Sequence, residues 1–346
     1  MARSHLTLAA LAASAMPGAD IVATRPISSG TQGRYDSAVL SLRTGDEVIV
    51  RVPTDDEAAS EQSLDLVALQ ALTAGVRSRL PFRVPGYEGQ APVGDTRAVV
   101  YDFIPGTPAS LGDITADGAT AGSVGAAIAA VHTLPTSVVT EAGLTVNSAS
   151  QLAARSRKLA ERAAATGKVP QALSTRWALA HDDSALWQFQ PSVVNGTLSP
   201  ESFLMVGDHV SGVLGWSGLA VGDPAVDLFW LSSAATPEGA ELVFSAYERA
   251  LPRPADRQLR KRARLYAELE IARWLLHGLG TRDQGVVGDA ESMLASLASS
   301  VQSDLLNPLS TDTGQVMAVE EVEALLDRTP VRTSSTADPA SRITED

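Results

Sequence analysis

The side chains that could do chemistry in this chain of 346 residues are few. There is no cysteine, which excludes thiol nucleophiles, disulfides and Cys-ligated zinc or iron–sulfur sites. Five histidines leave little room for a multi-His metal centre. The carboxylates of interest lie in Gly222-Asp223-Pro224-Ala225-Val226-Asp227-Leu228 and at Glu201, beside Ser202. Taken alone, Gly222-Asp223-Pro224 reads as a turn, and Glu201 as either a solvated loop residue or a lone metal ligand. Asp208 suits a hairpin tip, and His181-Asp182-Asp183 reads as an exposed loop. His277, before Gly278, reads as a helix C-terminal partner. In Ser28-Ser29-Gly30-Thr31-Gln32-Gly33 the backbone N–H groups suit either a phosphate cradle or a plain strand-to-strand turn. Arg51, near the end of Val48-Ile49-Val50-Arg51-Val52, is either an anion-gripping cation or an outward-facing strand residue.

Charge narrows the partners. Lys plus Arg number 27 against 40 for Asp plus Glu, giving a net charge of −13. That argues against nucleic acid and anionic membranes as partners, because phosphate contacts need clustered cations. The one basic run, Arg257, Arg260, Lys261, Arg262 and Arg264, reads as the solvated face of a helix, or else as a docking site for an acidic tail. No apolar run reaches the roughly 20 residues that span a bilayer.

The positioning elements follow from periodicity. Residues 1–20 read as an N-terminal helix ended by Pro17-Gly18, although Met1-Ala2-Arg3 and the Leu/Ala run also have the outline of a secretory signal. Residues 21–104 form a β-rich lobe. Tyr35 to Arg43, a Thr44-Gly45-Asp46 turn and Glu47 to Val52 make one hairpin, and Gln90 to Phe103 makes another, turning at Gly94-Asp95. Between them Thr54-Asp55-Asp56-Glu57 has the form of a capping box, opening a helix with Leu64, Val67, Ala68, Ala71 and Leu72 on one face. Residues 105–310 form a helical lobe, with helices at Ala119 to His132, Gln151 to Thr166, Gln171 to Ala180, 238–250, 256–279 and 287–304. In the 256–279 helix, Leu265, Leu269, Ala272 and Leu276 make the apolar stripe. A hairpin, Phe203 to Val206 and Val210 to Leu214, interrupts the helices. Residues 311–346, with eight acidic and three basic residues, read as a largely disordered tail with a short helix around Val319 to Leu326. A small β-rich lobe, a linker and a larger helical lobe broken by one hairpin is the order found in kinases, where nucleotide lies between the lobes.

At this point the chain resembles the aminoglycoside/macrolide phosphotransferases, over about residues 20–305. The segment Val193-Val194-Asn195-Gly196-Thr197-Leu198-Ser199-Pro200-Glu201-Ser202-Phe203-Leu204 is similar to the family's V-V-H-G-D-L-x-x-x-N-x-L. Leu214-Gly215-Trp216 stands for I-D-W, and Gly222 to Leu228 for G-D-P-x-x-D-L. Ala127 to Leu134, with His132, and the helix carrying Glu268 and Arg273-Trp274-Leu275-Leu276 extend the likeness. The resemblance implies an α+β, bilobal protein-kinase-like fold and a cytoplasmic protein.

It also implies roles. The family's loop His is Asn195 here, its catalytic Asp is Thr197, its metal-binding Asn is Ser202 and its metal-binding Asp is Gly215. Asp223, Asp227 and Trp216 take structural positions. On the nucleotide side the resemblance points to Gly30, Arg51 with Glu61 as its helix partner (Glu57 and Asp65 being the alternatives), and the hinge Tyr101-Asp102-Phe103-Ile104. A threonine hydroxyl is no general base near neutral pH, and magnesium wants anionic oxygens. The expectation is therefore a degenerate member, with no intact catalytic residue, ATP as the ligand the fold would take, magnesium disfavoured with Glu201 the one remote donor, and a small molecule or a protein as partner. The alternative is a working small-molecule kinase that uses displaced carboxylates.

Overall fold

A computed structural model describes residues 3–27, 33–115, 118–234 and 236–303. Gly30 and the acidic tail, with its expected helix, lie outside the described residues.

The N-terminal half contains α1 (His5–Ala15), β1 (Ile21–Pro26), β2 (Tyr35–Leu42), β3 (Glu47–Pro53), α2 (Asp56–Ala71), the one-turn α3 (Ala74–Arg77), β4 (Tyr87–Val93) and β5 (Thr96–Asp102). The five strands form one antiparallel sheet in the order β1-β2-β3-β5-β4. Because side chains alternate along a strand, β3 sends Val48, Val50 and Val52 to one face, where they pack under Leu8, Ala12 and Ala15 of α1. The opposite face carries Ile49, packed in the cluster that holds Val99, Tyr101 and Leu66 and Leu69 of α2. Arg51 is two residues from Ile49, so the same alternation places it on the α2 face. The N-terminal segment is thus a helix whose apolar side closes the back of the sheet.

Two local expectations for α2 change. Its cap is Asp55, whose side chain accepts from Ala58 N at 2.7 Å; Thr54 instead gives its N–H to Arg34 O and its hydroxyl to Gly33 O. Strand continuation claims Thr54, and Asp55, one residue later, is an equally good cap. The buried face is Ala58, Gln62, Leu66, Ala68 and Leu69, with Leu72 just beyond, while Leu64 and Val67 are 56% and 45% exposed. Apolar residues surround much of this helix, so the sheet's position decides which of them are covered.

The C-terminal half contains β6 (Thr107–Pro108), α4 (Ala119–His132), α5 (Ser137–Thr140), α6 (Ala149–Ala164), α7 (Gln171–Asp182), β7 (Ser192–Val194), β8 (Phe203–Val206), β9 (His209–Val213), β10 (Ala220–Gly222), α8 (Pro237–Ala250), α9 (Leu259–Thr281) and α10 (Gln284–Ser303). Small residues let α4 and α8 meet backbone to backbone: a Cβ on Gly125 would lie 2.4 Å from Val243 O. A second core joins α6, α7, α9 and α10 around Trp177, Leu265, Leu269, Ala272 and Leu275. Leu275 rather than Leu276 completes the stripe, since Leu276 is only half-buried.

Two more expectations are corrected here. Arg262 is fully buried and ion-paired to Asp223 and Asp256, and Arg260 pairs with Glu241 and Glu248. The basic run is therefore partly a core device and not simply a solvated face. His181 is buried at the end of α7, with Nδ1 on Trp177 O at 2.6 Å and Nε2 on Ser156 Oγ at 2.9 Å. Burial lowers its pKa. No helix among the described residues is long and apolar enough to cross a membrane.

Candidate functional site

The loop that follows β7 is held from behind. Asp227, fully buried, accepts from Asn195 N and Gly196 N at 2.7 Å each, one on either carboxylate oxygen. The oxygen that takes Asn195 N also meets His132 Nε2 at 3.0 Å. A carboxylate only accepts, so Nε2 carries a proton; Nδ1 faces the Tyr247 hydroxyl at 2.9 Å. Burial, reinforced by Asp227, holds the Tyr247 phenol well above its usual pKa. Asp223 is similarly occupied: Arg262 Nε lies 2.7 Å from Oδ2, Nη2 lies 3.1 Å from Oδ1, and Tyr266 donates to Oδ2 at 2.9 Å. Gly196 has φ +83°, and a Cβ there would meet Gly218 O at 2.5 Å. Glycine is therefore required where the loop crosses the segment after β9.

The front of the loop carries neutral groups. Asn195 donates from Nδ2 to Gly215 O at 2.8 Å, and its Oδ1 accepts from Thr197 N at 3.1 Å and lies 2.9 Å from Thr197 Oγ1. Thr197 Oγ1 is also 3.2 Å from Gly215 O. Asn195, Thr197 and Gly215 are thus brought together, with the hydroxyl turned toward amide and carbonyl oxygens. Ser202 Oγ accepts from Ser199 N at 3.2 Å, capping the turn Pro200–Ser202. Glu201 is exposed and accepts from Ser199 Oγ at 2.8 Å. Gly215 has φ +71° with open space where a side chain would stand.

This donor set does not fit magnesium. The ion prefers carboxylates and octahedral geometry; here the loop offers two neutral hydroxyls already bonded within the protein, a glycine, and an exposed glutamate. No group of three or more His, Asp or Glu side chains that could hold a metal occurs among the described residues.

The sheet side differs from expectation in its ion pairs. Glu61 pairs with Arg34 at 2.9 Å, and Glu57 lies 3.7 Å from the same guanidinium. Arg51 instead lies over the Tyr35 ring, 4.0 Å from its centroid, within electrostatic reach of Asp65. Glu61 and Asp65 are one helical turn apart on α2; Glu61 is taken by Arg34, while Asp65 feels the Arg51 charge. Burial pushes the Tyr35 phenol up to about 12, with Arg51 opposing. Asp65 accepts from Trp216 N at 2.6 Å. Burial raises its pKa, and that bond and Arg51 offset this only in part.

At the hinge, Asp102 is engaged by Arg83 Nη2 at 2.7 Å and by Gly86 N. Ile104 is buried, and it leaves no room for a Cβ on Gly212, which would fall 2.7 Å from its Cγ2. The role expected of the hinge is a backbone one, and there Asp102 N donates to Gly86 O and Phe103 N to Glu47 O. Phe203 and Trp216 are 1% and 0% exposed, in one apolar cluster that runs from α2 and β5 into α4 and α8.

A cavity of about 350 Å³ lies on the other side of the loop, between α6, the β7–β10 pair and α9. Gly196 and Gly218 form its loop wall, and Asn147, Arg155, Glu270 and Arg273 are its principal polar lining. Sequence reasoning passed over Tyr35, Asn147 and Arg155. The Ser148–Gln151 capping box that opens α6 was the available signal that Asn147 and Arg155 flank one helix start.

A profile of the phosphotransferase enzyme family (APH) matches residues 24–270. Among solved structures, the chain is similar to the macrolide 2'-phosphotransferase MphH from Brachybacterium faecium at 21% identity, with 84% of this chain and 98% of that one covered and a TM-score of 0.68. It is similar to macrolide 2'-phosphotransferase type I at 23% identity, with coverages of 85% and 98% and a TM-score of 0.65. A GDP and kanamycin complex of the aminoglycoside phosphotransferase APH(2")-IIIa matches at 17% identity, with coverages of 84% and 98% and a TM-score of 0.65. No curated protein sequence matches. At these identities the likeness is one of fold.

Proposed function

Because this chain belongs to the phosphotransferase enzyme family, with its kinase-like bilobal fold, we propose that it keeps the family scaffold, has given up phosphoryl transfer, and acts by binding a small molecule or a partner protein in a regulatory role. The observation that carries this reading is Thr197, whose hydroxyl faces Asn195 Oδ1 and Gly215 O where a proton-accepting carboxylate would have to stand. Loss of a general base typically costs ~10²–10⁴ in rate. Loss of a metal's charge stabilisation costs several kcal/mol more. The C-lobe cavity beside the loop suits a small-molecule ligand. The GDP in one relative supports nucleotide as a second ligand, with ATP the natural choice.

Asp65 favours a second reading, a small-molecule kinase with a displaced carboxylate, because it reaches the residue next to Gly215. One experiment separates the two. The full-length protein is incubated with ATP or GTP, magnesium and a panel of aminoglycosides and macrolides, and products are read by mass spectrometry. The binding reading expects no phosphorylated product. Turnover that disappears in Asp65→Asn or Glu201→Gln establishes the kinase reading instead.

A further inference from the structure

We propose that the C-lobe cavity holds an amphipathic carboxylate, an apolar chain ending in one acid group, with Arg155 gripping the head. This rests on the reading of that cavity as a binding site. The walls are apolar: Leu152, Leu159, Val226, Phe229 and Leu269 line it. Its volume of about 350 Å³ is at the lower end of small-molecule sites.

The polar lining decides the sign of the head group. Asp223 is spent on Arg262 and Tyr266. Glu270 and Arg273 neutralise one another along α9. Arg155 is different: among the described residues no carboxylate lies within ion-pair distance of it, and its Nη1 donates to Asn147 Oδ1 at 2.6 Å. Asn147 is itself buried and fixed to Val221 O through its backbone N and its Nδ2. A neutral amide therefore orients the guanidinium and leaves its charge undiminished. The N–H donors left over form the planar fork that matches a carboxylate. A cationic head would meet Arg155 with like charge. Arg155 and Arg273 are themselves exposed, so the head group would sit at the rim with the apolar chain turned inward.

The test uses full-length protein and isothermal titration calorimetry below micelle-forming concentrations. Decanoate, with twelve heavy atoms, is compared with decanol and decylammonium. Decanoate is expected to bind at least about tenfold tighter than decanol, with decylammonium weakest. Arg155→Gln should bring decanoate down to the decanol value and leave decanol unchanged, while Leu159→Trp, which fills the cavity, should remove both. Equal binding of decanoate and decanol, no binding of decanoate, or an Arg155→Gln variant with unaltered decanoate affinity overturns the proposal. Tighter binding of decyl phosphate than of decanoate overturns the choice of carboxylate. None of these results bears on phosphoryl transfer, which the mass-spectrometric assay decides independently.

Discussion

Asp65 of α2 accepts the backbone N–H of Trp216 at 2.6 Å, so an N-lobe helix is tied directly to the residue after Gly215. The bond sits within electrostatic reach of Arg51 and makes the α2 position and the hairpin end one unit. Asp65→Ala should cost about 1–3 kcal/mol, the penalty for leaving the Trp216 N–H without its acceptor, measured as a shift of the urea midpoint.

The same carboxyl has a pH signature. Its folded-state pKa is raised, first by burial, so the protonated form favours the folded chain. Its contribution is full below the unfolded value near 4 and is lost as pH rises through the folded value. Asp65→Asn cannot titrate there. Its stability relative to the parent should therefore increase with pH across that window in urea titrations, and a difference independent of pH would contradict the assignment.

Asp227 is a stronger test of the scaffold. Both of its oxygens are used, by Asn195 N, Gly196 N and His132, in full burial. Asp227→Ala leaves three donors without that acceptor, those of Asn195 and His132 buried and that of Gly196 partly so. It should destabilise by about 3–5 kcal/mol, as removal of one partner from a buried charged pair does, read from chemical denaturation.

Two glycines of α4 should respond with opposite sign. Gly125→Ala drives a methyl into Val243 O and Tyr247 N and should cost about 1–3 kcal/mol by overpacking. Gly122 has nothing within 4 Å of an added Cβ, so Gly122→Ala should gain about 0.5–1 kcal/mol from helix propensity. Melting temperatures of the two variants decide it.

Restoring the missing donors should bring back metal dependence. In the parent, any rise in melting temperature with ATP should be the same with and without magnesium. In Thr197→Asp/Ser202→Asn/Gly215→Asp it should become magnesium-dependent. Position 215 has room for the side chain, and aspartate is among the residues that tolerate positive φ.

Much of the architecture was legible because period-2 and period-3.6 patterns are local. The β2–β3 hairpin and α4, which runs Ala119–His132, follow from them directly. What failed depended on distant partners. Thr54 and Asp55 are equally good caps in sequence, and only Arg34 and Gly33 across the sheet edge decide between them. Arg262 is one basic residue among several until Asp223, 39 positions away, claims it. At the candidate site, positions 195, 197, 202 and 215 stood out only through the resemblance to the phosphotransferases, not through any pattern of their own. The turn of the Thr197 hydroxyl depends on Asn195 and on Gly215, 18 positions away, and the pairing of Glu61 with Arg34 depends on the packing of α2 beside the sheet edge.

The loop after β7 takes its path from groups at its rear. Two amide hydrogens end on Asp227, which an imidazole and a phenol steady from deep within the helical lobe. At the front the Asn195 side chain adds a second tie, to Gly215 O and from Thr197 N. The loop is therefore pinned from both sides, and a substitution ahead of it that spares Asn195 leaves the rear anchor untouched.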